Sequence, residues 1–119
     1  MSEKRDLGDF GERIAGHRLE TAGMEIVARQ VRVPSGEIDL VARDGAETVF
    51  VEVRTRRSSF GAASESVTAA KRERMWRCAM EYCESAAVDP ATARMDVVVV
   101  ELDASGRMAN VEHIRGVGE

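Results

Sequence analysis

GEIDLVARDGAETVFVEVRT, residues 36–55, is the stretch on which the fold turns. From Glu37 to Ala42 the residues alternate, which puts Ile38, Leu40 and Ala42 on one face of a strand and Glu37, Asp39 and Val41 on the other. Arg43-Asp44-Gly45-Ala46 has the composition of a tight turn. A second strand, Thr48 to Thr55, sets Val49, Val51 and Val53 against Phe50, Glu52 and Arg54. Two neighbouring strands joined by so short a turn are antiparallel, and each carries an acid in its middle.

Upstream, Leu7, Phe10, Ile14, Ala15, Leu19 and Ala22 recur at helical spacing between about Arg5 and the terminator Gly23. Arg18 interrupts that stripe, and Glu12 stands at its edge, where a carboxylate can look toward a neighbouring element. Met24 to Val33 is rich in β-formers and ends at the turn Pro34-Ser35-Gly36, so a strand precedes the pair. Downstream, a polar loop containing Ser58, Ser59, Gly61 and Ser64 leads to a helix from about Ser66 to Ala87, with serine caps expected at its start. Lys71, Met75, Cys78, Ala79, Tyr82 and Ala86 share one side of that helix. After Pro90, the run DVVVVEL within Met95–Leu102 reads as a strand covered on both faces, and Met108–Ile114 as a weaker last strand. The order is helix, three-stranded meander, helix, strand, strand. It is an α/β chain of the α+β sandwich kind, with one mixed sheet and the helices on either side of it or both on one side.

The 119 residues, 44% of them hydrophobic, suit one domain over residues 1–119 with a loose tail at 116–119. No run approaches the roughly 18 apolar residues that span a bilayer, and the start MSEKRDLGDFGE is charged, so a cytoplasmic protein without a membrane partner is expected. Cys78 and Cys83 lie five apart on a helix, poorly placed to pair, and reduced, packed thiols are expected. With only His17 and His113 as imidazoles and no CxxC spacing, a structural zinc site is disfavoured. The net charge of −4 gives no global attraction to a polyanion, yet Arg54, Arg56, Arg57, Lys71, Arg72, Arg74 and Arg77 concentrate positive charge in one segment. Either a solvated helix face or a phosphate-binding surface fits that cluster. Trp76 and Tyr82 fit packing better than base stacking.

Acids are disfavoured inside strands, so Asp39 and Glu52 each break a local rule, and such breaks are where function is sought. On one sheet face they could share a cation, and two or three hard oxygen ligands completed by water or phosphate suit Mg²⁺. Arg54, pointing the same way about 7 Å further along the strand, could hold a phosphate. A cross-strand ion-pair network on a solvated face explains the same spacing more simply.

The segments GDFGERIAGHRLETAG (8–23), VPSGEIDLVARDG (33–45), VFVEVRTRRSSFGAASESVTAAKRERM (49–75) and RMDVVVVEL (94–102) resemble, in order, the YraN family of bacterial proteins, with GEIDL and FVEVRTR the specific part. That family is similar to the Holliday-junction resolvases and restriction endonucleases of the PD-(D/E)XK superfamily, which implies a restriction-endonuclease-like core. The resemblance implies that Asp39 and Glu52 are metal ligands, that Glu12 adds a third, and that Mg²⁺ or Mn²⁺ activates a water for attack on a phosphodiester. It implies structured or branched DNA as partner, with Arg56, Arg57, Arg72 and Arg74 as candidate nucleic-acid contacts, and a homodimer for cutting two strands. Arg54 departs from the superfamily's lysine, and a guanidinium, which keeps its proton, cannot take one from water. Lys71 is the candidate replacement ammonium. Asp96 in Arg94-Met95-Asp96 reads as structural. The alternatives are a Mg²⁺-dependent endodeoxyribonuclease, a catalytically silent nucleic-acid-binding or protein-interaction module on the same fold, and a structural partner with ion-paired sheet acids.

Overall fold

A computed structural model describes residues 3–57 and 68–117, with side chains in the first helix from residue 7 onward. The polar loop with its serines, and the expected helix start at Ser66, lie outside the described residues. In chain order the elements are α1 (Glu3–Thr21), β1 (Glu25–Val33), β2 (Gly36–Asp44), β3 (Glu47–Arg57), α2 (Ala69–Ala86), a 3-10 turn (Pro90–Thr92), β4 (Ala93–Leu102) and β5 (Met108–Ile114). One sheet carries the strands in sequence order. β1, β2 and β3 form an antiparallel meander, β3 and β4 run parallel with α2 as the crossover, and β5 returns antiparallel.

Each sheet face is covered by one helix, which decides between the two arrangements the sequence allowed. Val97 and Val99 of β4 join Phe50, Val41 and Ile38 beneath Met75, Cys78, Ala79 and Cys83 of α2. On the opposite face Val98, Val100 and Leu102 join Val49, Val51, Leu40 and Ala42 beneath Ala15 and Leu19 of α1. That double covering is why DVVVVEL has no polar alternation. Both cysteines are free and buried in the α2-side core.

Two helix ends are set by local chemistry. Thr68 caps α2, its Oγ1 accepting from Lys71 N at 3.2 Å. At the other end Ala87 adopts φ 57°, a left-handed conformation usually left to glycine, while its N–H reaches Cys83 O. The tail expected to be loose begins with two hydrogen-bonded residues: Gly116 N–H donates to Asp96 Oδ1 and Val117 N–H to Met95 O.

The expected alternation of β2 needs correction. Ile38 packs on the α2 side, whereas Leu40 and Ala42 pack on the α1 side, so the two-residue period slips at Asp39–Leu40. β1 slips in step. Its inward residues Ala28 and Val31 are separated by two exposed ones, Arg29 and Gln30, and Gln30 takes φ 49°. With Arg29 paired to Leu40 and Val31 to Ile38, Gln30 stands across from Asp39.

Candidate metal and nucleic-acid site

The β2–β3 ladder is paired as far as Leu40–Val51, which brings Asp39 beside Glu52 at the next step of the register. There Asp39 Oδ2 accepts the Val53 N–H at 2.8 Å, so a carboxylate oxygen satisfies this strand donor. Asp39 and Glu52 line one small cavity of about 20 Å³ together with Glu37, Ile38, Phe50, Val51, Met75 and Cys78. Its floor is apolar and its acids come from two adjacent strands.

Close backbone packing of α1 brings a further acid near these strands. A Cβ on Gly11 would overlap the Thr55 side chain, so only glycine lets the helix lie this near β3. The next residue, Glu12, is half-buried and accepts from Gln30 Nε2 at 3.0 Å. Burial is the main cause that raises the Asp39 carboxyl from 3.8 to about 7; the Val53 N–H opposes it, and the charges of Glu12, Glu52 and Glu37 add to it. Glu12 is raised too, first by burial and then by Asp9 and Glu37, against the Gln30 hydrogen bond. The site is a pocket of mutually repelling carboxylates.

Arg54 is beside the acids, with Nη1 3.2 Å from Glu52 Oε2. Lys71 sits in the first turn of α2 and is not among the residues lining the cavity. Arg56 reaches Glu101 Oε2 at 3.3 Å, Arg57 is exposed at the end of β3, and on α2 Arg74 is exposed while Arg72 borders a separate groove with Trp76. The basic residues of the candidate DNA surface are thus spread over β3 and α2. Trp76 is 37% exposed on the outer face of α2, while Tyr82 packs edge-on against Phe50 with ring centres 5.5 Å apart.

The donor set fits a hard divalent cation: carboxylate oxygens of Asp39 and Glu52, completed by water or phosphate, would hold it, and its charge would offset the burial and the neighbouring acids that raise Asp39. Among the described residues no group of three or more His, Cys, Asp or Glu is assembled to hold a metal ion. Glu12 is not grouped with Asp39 and Glu52 in this arrangement and does not line their cavity, so a role as third ligand would need its carboxylate to approach them.

A second polar cluster is centred on Asp96 of β4, which pairs with Val51, and runs toward the β2–β3 turn; the sequence signalled only its acid. Asp96 is fully buried; its Oδ1 accepts from Arg94 Nε and Gly116 N, and its Oδ2 from Arg94 Nη2, with His113 Nε2 2.7 Å from Oδ2. Arg94 Nη1 extends the network to Asp44 at 2.9 Å and Glu47 at 2.7 Å. Burial alone would raise Asp96, but the His113, Arg94 and Gly116 contacts outweigh it and lower the carboxyl to about 2. Gln30 and His113 gave no sequence signal: Gln30 is a polar residue in an edge strand, and His113 meets Asp96 only through the pairing of β4 with β5.

The sequence profile of the uncharacterised protein family UPF0102 matches residues 11–100, which include Glu12, Asp39, Glu52 and Arg54. The chain belongs to the UPF0102 family. A UPF0102 protein of Beutenbergia cavernae is 47% identical over 119 residues, covering 99% of this chain and 100% of that one. One from Symbiobacterium thermophilum is 47% identical over 105 residues, covering 87% and 89%, and one from Moorella thermoacetica 46% over 114 residues, covering 95% of each. Among solved structures, this UPF0102 chain is similar to Pyrococcus furiosus SfsA in complex with Ca²⁺, at a TM-score of 0.42 and 14% identity, covering 94% of this chain and 63% of that chain. No helix among the described residues is long and apolar enough to cross a membrane.

Proposed function

We propose that this UPF0102 protein is a metal-dependent nuclease that hydrolyses phosphodiesters of structured or branched DNA. The observation that carries the reading is the pairing of Asp39 and Glu52 from adjacent strands at one cavity, with Glu12 near enough to raise the Asp39 carboxyl. Support also comes from the likeness of its motifs to PD-(D/E)XK nucleases. Mg²⁺ or Mn²⁺, when bound, supplies a polarised phosphate and an acidified water. Asp39 and Glu52 hold the cation, and Asp39 must shed its proton to do so, which makes binding favour pH above about 7. Arg54 neutralises phosphate charge without serving as a base, because its guanidinium stays protonated. Arg57 and Arg74, both exposed, extend the positive surface for the DNA backbone.

A second reading is favoured by one contact, the Arg54–Glu52 pair at 3.2 Å. If that pair persists in solution, the arginine itself neutralises the site, and the protein is a silent DNA-binding module. Calorimetric titration with Mn²⁺ separates the two: the nuclease reading expects binding by wild type and its loss in Asp39→Ala. Branched, flapped and linear DNA with Mg²⁺ or Mn²⁺ then reads activity, expected to vanish in Glu52→Gln. Wild type that takes up no Mn²⁺ overturns the nuclease, and failure to bind any DNA at low salt overturns both readings.

A further inference from the structure

Gln30 combines features that the fold alone does not require. It is an exposed residue of an edge strand, yet its backbone is held at φ 49°, a conformation unfavourable for a residue with a long side chain. The register sets it across β1–β2 from Asp39, which in turn stands beside Glu52, so one row crosses three strands. From that position its amide Nε2 lies 3.0 Å from Glu12 Oε1 and 3.5 Å from Asp9 Oδ1, residues three apart on one side of α1. Two acids of a helix are therefore anchored by a neutral donor that rises from the slipped point of the sheet. A lysine or arginine in its place would add a counter-charge; the amide fixes the carboxylate and leaves its charge intact.

We propose that Gln30 is a positioning residue, whose amide holds the Glu12 carboxylate above the β1 position that faces Asp39, from where it can complete the candidate metal site as a third acid. The proposal rests on the metal-dependent reading above. The left-handed backbone is what lifts the amide to this reach, and Gly11 against Thr55 sets the height of the helix it meets. Partners of this kind, one bond removed from the ion, typically change metal affinity by about 10–100-fold when removed.

Mn²⁺ alone is the probe, titrated by calorimetry into full-length wild type, Gln30→Gly, Glu12→Gln and the double variant, with melting temperatures recorded alongside. Glycine accepts φ 49° without strain, so Gln30→Gly is expected to melt no lower than wild type while binding Mn²⁺ at least about tenfold more weakly. The double variant is expected to bind no more weakly than Glu12→Gln, because the amide acts only through Glu12. Mn²⁺ affinity of Gln30→Gly within about twofold of wild type overturns the proposal and leaves the metal site standing, as does a double variant in which the two losses add. If wild type itself takes up no Mn²⁺, the metal-dependent reading fails and this proposal with it.

Discussion

Asp39 and Asp96 are both aspartates within strands of the same sheet, and they are perturbed in opposite directions. Asp96 is the more deeply buried, at 0% exposure, yet its carboxyl is lowered to about 2, since two nitrogens of Arg94, His113 Nε2 and Gly116 N surround it. Asp39 keeps some solvent contact and is raised to about 7, because burial and the charges of Glu12, Glu52 and Glu37 meet a single backbone donor from Val53. Burial alone does not mark a functional acid. What distinguishes the two is whether the surroundings complete the charge: donors and cations close the Asp96 network, whereas Asp39 faces three neighbouring acids with one backbone donor.

The largest effect expected from this contrast is at Asp96. Asp96→Ala leaves the buried Arg94 and His113 without their shared acceptor and should cost about 3–5 kcal/mol in chemical denaturation at pH 7. A loss below about 1 kcal/mol would mean that the network is not closed in solution. Because Asp96 titrates lower in the fold (about 2) than in an unfolded chain (3.8), its stabilisation is present above pH about 4 and disappears as pH falls through 2.

Asp39 should behave in the reverse sense. Its folded value of about 7 exceeds the 3.8 of the unfolded chain, so its contribution to stability is complete below pH about 4 and is lost as pH rises through 7. Asp39→Asn removes that loss. In metal-free buffer at pH 8 the variant should be more stable than wild type by about 2–3 kcal/mol, somewhat under the roughly 4 kcal/mol equivalent of three pH units because part of the group is screened by solvent. At pH 4 the two should differ little. A variant less stable than wild type at pH 8 would show that Asp39 serves the fold and not a site. The smallest effect belongs to the rim of the closed network, where Arg115 lies 3.7 Å from Asp44 and is 52% exposed. Arg115→Ala should change stability by less than about 0.5 kcal/mol, and a larger loss would move the network's energy from its buried pairs to its surface.

The order of elements was legible in the sequence because each segment carries its own period: helical spacing through Leu7–Leu19, alternation in Thr48–Thr55, and an unbroken apolar run at Val97–Val100. Asp39 and Glu52 stood out because each is an acid inside a β-rich stretch. The same rule could not separate them from Asp96, whose partners Arg94, His113 and Gly116 are set by neighbouring strands and the chain beyond them. Alternation misplaced Ile38 relative to Leu40, since a helix covers each face and apolar residues are acceptable on both, so a slip of register leaves the hydrophobic pattern unchanged. Gln30 was silent for a related reason: its left-handed backbone has no glycine or asparagine to announce it.

A crystal of wild type soaked in Mn²⁺ near pH 8 tests the shared site most directly. Anomalous density about 2.1 Å from carboxylate oxygens of both Asp39 and Glu52, with Arg54 turned away from Glu52, is the expected result. No density between the two acids, with Arg54 still bonded to Glu52 and Asp39 bound only by Val53 N–H, would contradict it.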